Sequence, residues 1–285
     1  MEAAVVWRVW RRILREQAVR DVVFGGRLDE RAAALDLGPE EVEVAWAYAE
    51  HPAGAGMFVH SYRFRMVSSF FNALETVAPL THRVLIAHDV DLRAVAHEVL
   101  DRREWTDSGP YVYSFGQEIL DHIAADPSLK RIDGLAELAA LEHAAAGVVI
   151  AAASDGDPDP EGTRWDPTER PRLALPCGVH TSGRDLSGWL RDPAALGRTS
   201  PPTRTRHYAI YLPAPDSARR IVAVPARAAA LLRGLGRGPE EHPYRIAEPA
   251  VPAGSIPPPN LPEQDQQTLD RLVGMGLVTA PGGQN

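Results

Sequence analysis

HSYRFRMVSSFFNAL, residues 60–74, places an arginine where a helix should be most apolar. At about 100° per residue, Val59, Val67, Phe70, Leu74 and Val77 fall within roughly 40° of Arg63. The opposite face collects Ser61, Arg65, Ser68, Asn72 and Thr76, so the pattern is otherwise that of an amphipathic helix. Arg65 lies on the wet side. Arg63 lies at the centre of the apolar stripe, and a guanidinium there needs something to neutralise it.

The helix around Glu142 poses the same problem with the opposite sign. In GLAELAALEHAAAGVV (residues 134–149), Leu135, Leu138, Ala146 and Val149 lie within about 40° of Glu142. An unpaired buried charge costs several kcal/mol, whereas a well hydrogen-bonded pair roughly recovers that cost. The matched positions predict a structural ion pair, Arg63 with Glu142, between two packed helices. The alternative is that each side chain snorkels separately to the rim.

Around these two segments, residues 1–150 read as helices with short connections. VVWRVWRRILREQAVRDVVF (5–24) repeats apolar residues at Val6, Trp10, Ile13, Leu14 and Val22 and stops at Gly25-Gly26. GPEEVEVAWAYA (38–49) opens a second helix with Pro39 and two acids in its first turn. Pro79 limits the helix that carries Arg63. DVDLRAVAHEVLDRR (89–103) and YSFGQEILDHIAAD (113–126) are further amphipathic helices.

At residue 151 the texture changes. SDGDPDPEGTRWDPTERP (154–171) is acidic, rich in proline and glycine and without apolar periodicity, which predicts a linker over 151–170. Its Asp155, Asp157 and Asp159 alternate as in a calcium loop, but Pro160 stands where glycine is required and the bidentate glutamate is missing. Beyond it RLALPCGV (172–179), RHYAIYLP (206–213) and RRIVAVP (219–225) read as short strands, the last two joined through APDS (214–217). ARAAALLRGLG (226–236) and EQDQQTLDRLVGMGLV (263–278) read as helices. The proline-rich AEPAVPAGSIPPPNLP (247–262) reads as an extended surface crossing. The expected fold class is α+β: an all-α amino-terminal bundle over 1–150, then a small winged-helix-like domain over 171–285 with a short antiparallel sheet.

The chain has 285 residues, 45% of them apolar and 24% charged, which fits a globular protein with material for a core. The net charge of −8 is uneven. Residues 1–150 hold 15 basic against 23 acidic side chains, 151–170 hold 2 against 6, and 171–285 hold 13 against 9. A carboxy-terminal part at +4 suits an acidic partner better than naked nucleic acid. The single cysteine, Cys177, excludes an internal disulfide and a Cys-rich zinc site. No run of about 18 apolar residues and no signal-peptide pattern is present, so a cytoplasmic location is expected and no membrane partner.

YRFR (62–65) followed by an apolar helix, then LAALEHA (138–144), resembles the helical domain of a group of bacterial accessory proteins. These partner the multinuclear non-heme iron-dependent oxidative enzymes that modify ribosomally made peptides, as in methanobactin and 3-thiaglutamate biosynthesis. The resemblance covers roughly residues 5–150; beyond 170 it is one of architecture. It implies a non-catalytic subunit without a cofactor of its own. The helical domain would dock on the iron enzyme as a heterodimer, and the winged-helix-like domain would hold the leader of a precursor peptide.

Other signals agree with a binding role. GxSxG, P-loop, HExxH and a strand-associated GxGxxG are all missing. His82, His88, His97 and His122 lack histidine pairs at helical ligand spacing, so no metal site is expected. His180, Ser182 and Asp185 in GVHTSGRD are better explained by a turn before a helix than by a catalytic triad. The expected peptide site is a strand edge. Tyr208, Ile210 and Leu212 with Ile221, Val222 and Val224 would form the sheet and groove, and Arg204, Arg206, Arg219 and Arg220 would attract an acidic leader. The alternative is a plain core hairpin with solvated arginines. At the level of the whole chain, the competing reading is a winged-helix DNA-binding regulator with a helical sensor domain, suggested by LDRLVGMGLV (269–278). A stand-alone metal hydrolase comes third, on histidine count alone.

Overall fold

The computed structural model describes residues 2–107, 111–154, 172–173, 176–213, 218–235 and 263–279. The linker expected over 151–170 lies outside the described residues from 155 onward. The APDS turn at 214–217 and the proline-rich stretch at 247–262 also lie outside them.

The helices in chain order are α1 (Ala3–Arg15), α2 (Gln17–Val23), α3 (Leu28–Arg31), α4 (Pro39–Ala49), α5 (Pro52–Val77), α6 (Pro79–Ala87), α7 (Leu92–Arg102), α8 (Val112–Ala125) and α9 (Leu135–Ser154). After strand β1 (Arg172–Leu173) come β2 (Cys177–Arg184), α10 (Ser187–Arg191), β3 (Thr203–Tyr211), β4 (Arg220–Val224), α11 (Ala226–Leu235), α12 (Glu263–Gly274) and β5 (Val278–Thr279). The protein is mostly helical with a small antiparallel sheet, and so belongs to the α+β class.

Two compact units emerge, and the chain passes between them more than once. One comprises Met1–Thr76 with Asp89–Phe115; the other comprises Val77–His88 with Gly116–Asn285. These units do not follow the division expected at residue 150: α6, most of α8 and α9 group with the carboxy-terminal sheet. The reason is visible in α9, which is apolar nearly all round and must be covered on more than one side. Among the described helices, α9 is the one long and apolar enough to cross a bilayer by length and composition.

In the first unit, the single helix expected over 5–24 is two. Glu16 is extended (φ −96°, ψ 112°) and ends α1, and α2 starts at the next residue. Val5, Val9, Ile13 and Leu14 of α1 are buried, as are Val59, Met66, Phe70 and Leu74 of α5. Spacings of four and seven residues put them on one face of each helix; Val6 and Val67, expected in these stripes, are only half-buried, and Val5, Val9 and Met66 are buried beside them. Trp10 is ringed by Tyr48, Phe58 and Tyr62 at centroid distances of 6.0, 5.5 and 5.6 Å.

In the second unit, β2, β3 and β4 form an antiparallel sheet with β3 in the middle. The registers are Val179↔Ala209↔Val222 and Gly178↔Ile210↔Ile221. Because side chains alternate, these two rows face opposite ways. The row of Ala209, with Tyr211 and Val224, packs on Ala229 and Leu232 of α11 and Leu269 and Leu272 of α12. On the other face α9 lies against β2 and β3. A β-carbon on Gly178 would stand 2.8 Å from Cγ2 of Val148, so only glycine allows α9 to lie this close to the sheet. The sheet is thus a middle layer between helices, held at one end by the Leu186 N–H donating to the Tyr208 hydroxyl at 2.7 Å.

Candidate functional site

Arg63 answers to a helix end. The kink at Glu16 leaves the carbonyls of Ile13 and Leu14 without partners in α1. Arg20 donates to both at 2.9 Å, and Arg63 donates to Leu14 as well. A guanidinium at the negative end of a helix is stabilised by the carbonyls and by the helix dipole. The same guanidinium lies 4.0 Å from the centroid of the Trp105 ring, and its other nitrogen faces Nδ1 of His97 at 3.4 Å. Burial pushes Arg63 down to about 10, which leaves it charged at neutral pH. Burial, then the positive charge of Arg63, lowers His97 below the usual histidine range, so its neutral ring offers a lone pair to Arg63.

Glu142 answers to the opposite kind of helix end. It is 1% exposed, and its two carboxylate oxygens accept the N–H groups of Leu80 at 3.1 Å and Thr81 at 2.8 Å. These are among the unpaired donors of α6, whose cap residue Ala78 has no side chain to offer and whose Pro79 has no N–H. Arg219 stands 3.8 Å from Glu142 and donates to the Val77 carbonyl at the end of α5. Burial raises Glu142 above the usual carboxylate range, against the pull of the Thr81 and Leu80 N–H groups and of Arg219.

The ion pair expected between Arg63 and Glu142 would join residues of two different units. Each charge is matched inside its own unit by backbone groups at a helix terminus. The partners that sequence reasoning missed are Leu14, His97 and Trp105 for one, and Leu80, Thr81 and Arg219 for the other. Backbone carbonyls at a chain kink leave no trace in side-chain periodicity.

The expected peptide residues separate into two groups. Tyr208, Ile210 and Leu212 are buried at 0%, 0% and 6% exposure, and β3 is paired on both sides over 207–211. Over 207–211 both edges of β3 are taken by β2 and β4, so an added peptide strand has no place there. Val224 is also buried against α11 and α12, and Val222 packs on the same cluster. Arg219 is committed to Val77 and Glu142, and Arg206 lies 3.6 Å from Asp185. The strand β4 differs. Among the described residues it pairs with β3 alone, Arg220 and Ala223 are exposed, and Ile221 is half-buried.

The remaining candidates resolve locally. The Ser182 hydroxyl accepts the Arg184 N–H at 3.1 Å, and Asp185 accepts the Ser187 N–H at 3.1 Å. These are turn bonds leading into α10, and His180 sits opposite Tyr208 in the ladder. His122 is buried on α8, and Asp126 follows one turn later with a ligand atom within 4.8 Å of a ring nitrogen. Those two could offer a nitrogen and an oxygen to a cation. Cys177 is pushed up to about 11 by burial, which removes its thiolate at neutral pH. No protein-family model matches the sequence, and no characterised protein matches it.

Proposed function

We propose that the chain is a non-catalytic partner subunit that binds the leader of a ribosomally made precursor peptide. It presents that peptide to an iron-dependent oxidative enzyme in the cytoplasm. The observation that carries this reading is the edge of β4. A short strand with one side unpaired among the described residues offers main-chain donors and acceptors to an extended peptide. Arg220 stands exposed on β4, and Arg204 is exposed on β3 beyond the last residue paired with β4; their charge suits an acidic segment. The three-stranded sheet with α11 and α12 on one face supports a winged-helix-like recognition element, in keeping with the resemblance of YRFR and LAALEHA to the accessory proteins.

The amino-terminal unit supplies the surface for the enzyme. Met57, Phe58 and Phe64 of α5 are 70%, 61% and 66% exposed, apolar side chains that a partner protein would cover. The test is co-expression with the iron enzyme and precursor peptide. Co-purification of the enzyme, lost in a Met57→Glu/Phe64→Glu variant that still folds, supports the reading. Salt-dependent binding of duplex DNA by the chain alone would replace it with the regulator.

A further inference from the structure

The turn after α7 sets two consecutive residues that carry β-carbons, Glu104 (φ 52°) and Trp105 (φ 56°), in the left-handed region. That conformation usually falls to glycine at a helix end. Its hydrogen bonds are those of a helix stop: Trp105 N–H to Leu100 O at 2.8 Å and Glu104 N–H to Asp101 O at 3.0 Å. Side chains hold it in place. Trp105 is 1% exposed, its Nε1 donates to Asp101 at 2.6 Å, and its carbonyl accepts the Tyr62 hydroxyl at 3.3 Å. Arg63 covers its face, and the His97 ring stands edge-on to it at 5.5 Å and 76°.

His97 is the one neutral member of this cluster that can gain a charge in the mild acid range. The charged groups facing it are Arg63 from α5, Arg20 from α2, and Arg93 and Asp101 from its own helix. Three cations against one carboxylate oppose a fourth positive charge. Because arginine only donates, the 3.4 Å approach of Arg63 uses the Nδ1 lone pair, which protonation removes.

We propose that the Glu104–Trp105 turn is an acid-released latch: a proton on His97 displaces Arg63 from the face of Trp105, and the turn leaves its left-handed conformation. Burial and Arg63 already hold His97 below the ordinary histidine range, so the latch is closed at neutral pH. On release the indole reaches solvent while the packed stripe of α5 stays in place.

The test is a titration of the full chain followed by NMR at the His97 ring and the Trp105 indole N–H, with Trp105→Phe assigning the indole. Both signals are expected to move with one midpoint, below that of an unstructured histidine peptide. Indole exchange, corrected for its intrinsic pH dependence, should be at least about tenfold faster at the acid end. His97→Gln should keep the neutral-pH indole signal and lose the response. A titrating His97 with an unchanged indole overturns the latch, as does an indole response that survives in His97→Gln. If that variant fails to fold, the coincidence of the two midpoints in the unaltered chain decides alone.

Discussion

The Arg219 guanidinium stands 3.8 Å from the Glu142 carboxylate, and both groups serve the break between α5 and α6. The cation takes the last carbonyl of one helix, and the anion takes the first free N–H groups of the next. Charges of opposite sign thus sit at the helix ends whose dipoles they complement, close enough to attract one another. Pro79 forces the break, since the residue before a proline is excluded from helical geometry.

Mutant cycles should separate this arrangement from the pairing expected on sequence grounds. Glu142→Ala should cost about 3–5 kcal/mol, because it leaves two buried amide donors without an acceptor and removes the carboxylate beside the half-buried Arg219. Glu142→Ala with Arg219→Ala should show a coupling of about 0.5–3 kcal/mol in urea unfolding, whereas Glu142→Ala with Arg63→Ala should be additive within about 0.5 kcal/mol. A coupling between Arg63 and Glu142 as large as that with Arg219 would contradict the structure.

Lysine should not replace Arg63. The guanidinium bonds the Leu14 carbonyl and stands over the Trp105 ring at once, and a lysine ammonium cannot do both. Arg63→Lys and Arg63→Ala should each lower stability by about 1–3 kcal/mol, read from thermal or urea midpoints. Full stability in the lysine variant would show that charge alone matters there.

Acid should weaken the first unit through His97. Its folded value is depressed, so its contribution is present above the unfolded value of about 6.5 and is lost as pH falls through the folded one. Urea midpoints of the unaltered chain should therefore fall faster than those of His97→Gln between about pH 7 and about pH 5. Parallel slopes would remove His97 from the account.

Close packing of α9 on the sheet should make Gly178 intolerant. Gly178→Val drives side-chain atoms into Val148 and should cost about 1–3 kcal/mol. Adding Val148→Ala should restore much of the loss. Failure of that rescue would place the contact elsewhere.

The legible part of this fold is the part written in periodicity. The stripe of α5 could be read directly, because it follows from which side chains face the core; in β3 both faces are covered, and Tyr208 to Tyr211 are all buried. Val59, Phe70, Leu74 and Val77 are buried where the 100° rule puts them. What neutralises Arg63 was not legible. Its partner is a backbone carbonyl exposed by an extended residue, Glu16, inside a stretch whose apolar spacing runs on unbroken. The role of β3 was hidden for a related reason. Alternation shows that a strand has two faces, but the pairing order that leaves β4 rather than β3 at an edge is a long-range property. The near-uniform apolarity of α9 signalled burial without saying against what.

The edge of β4 carries the functional reading, and calorimetry with an acidic leader-type precursor peptide tests it most directly. The account predicts saturable heat at a single site with the chain alone. Binding should be lost when alternate leader amides are N-methylated, because those methyls block main-chain pairing on one side. Arg204→Glu with Arg220→Glu should slow association about tenfold at low salt and change dissociation less. No heat from the leader, at concentrations where the complex with the iron enzyme binds it, would contradict a peptide site on this chain.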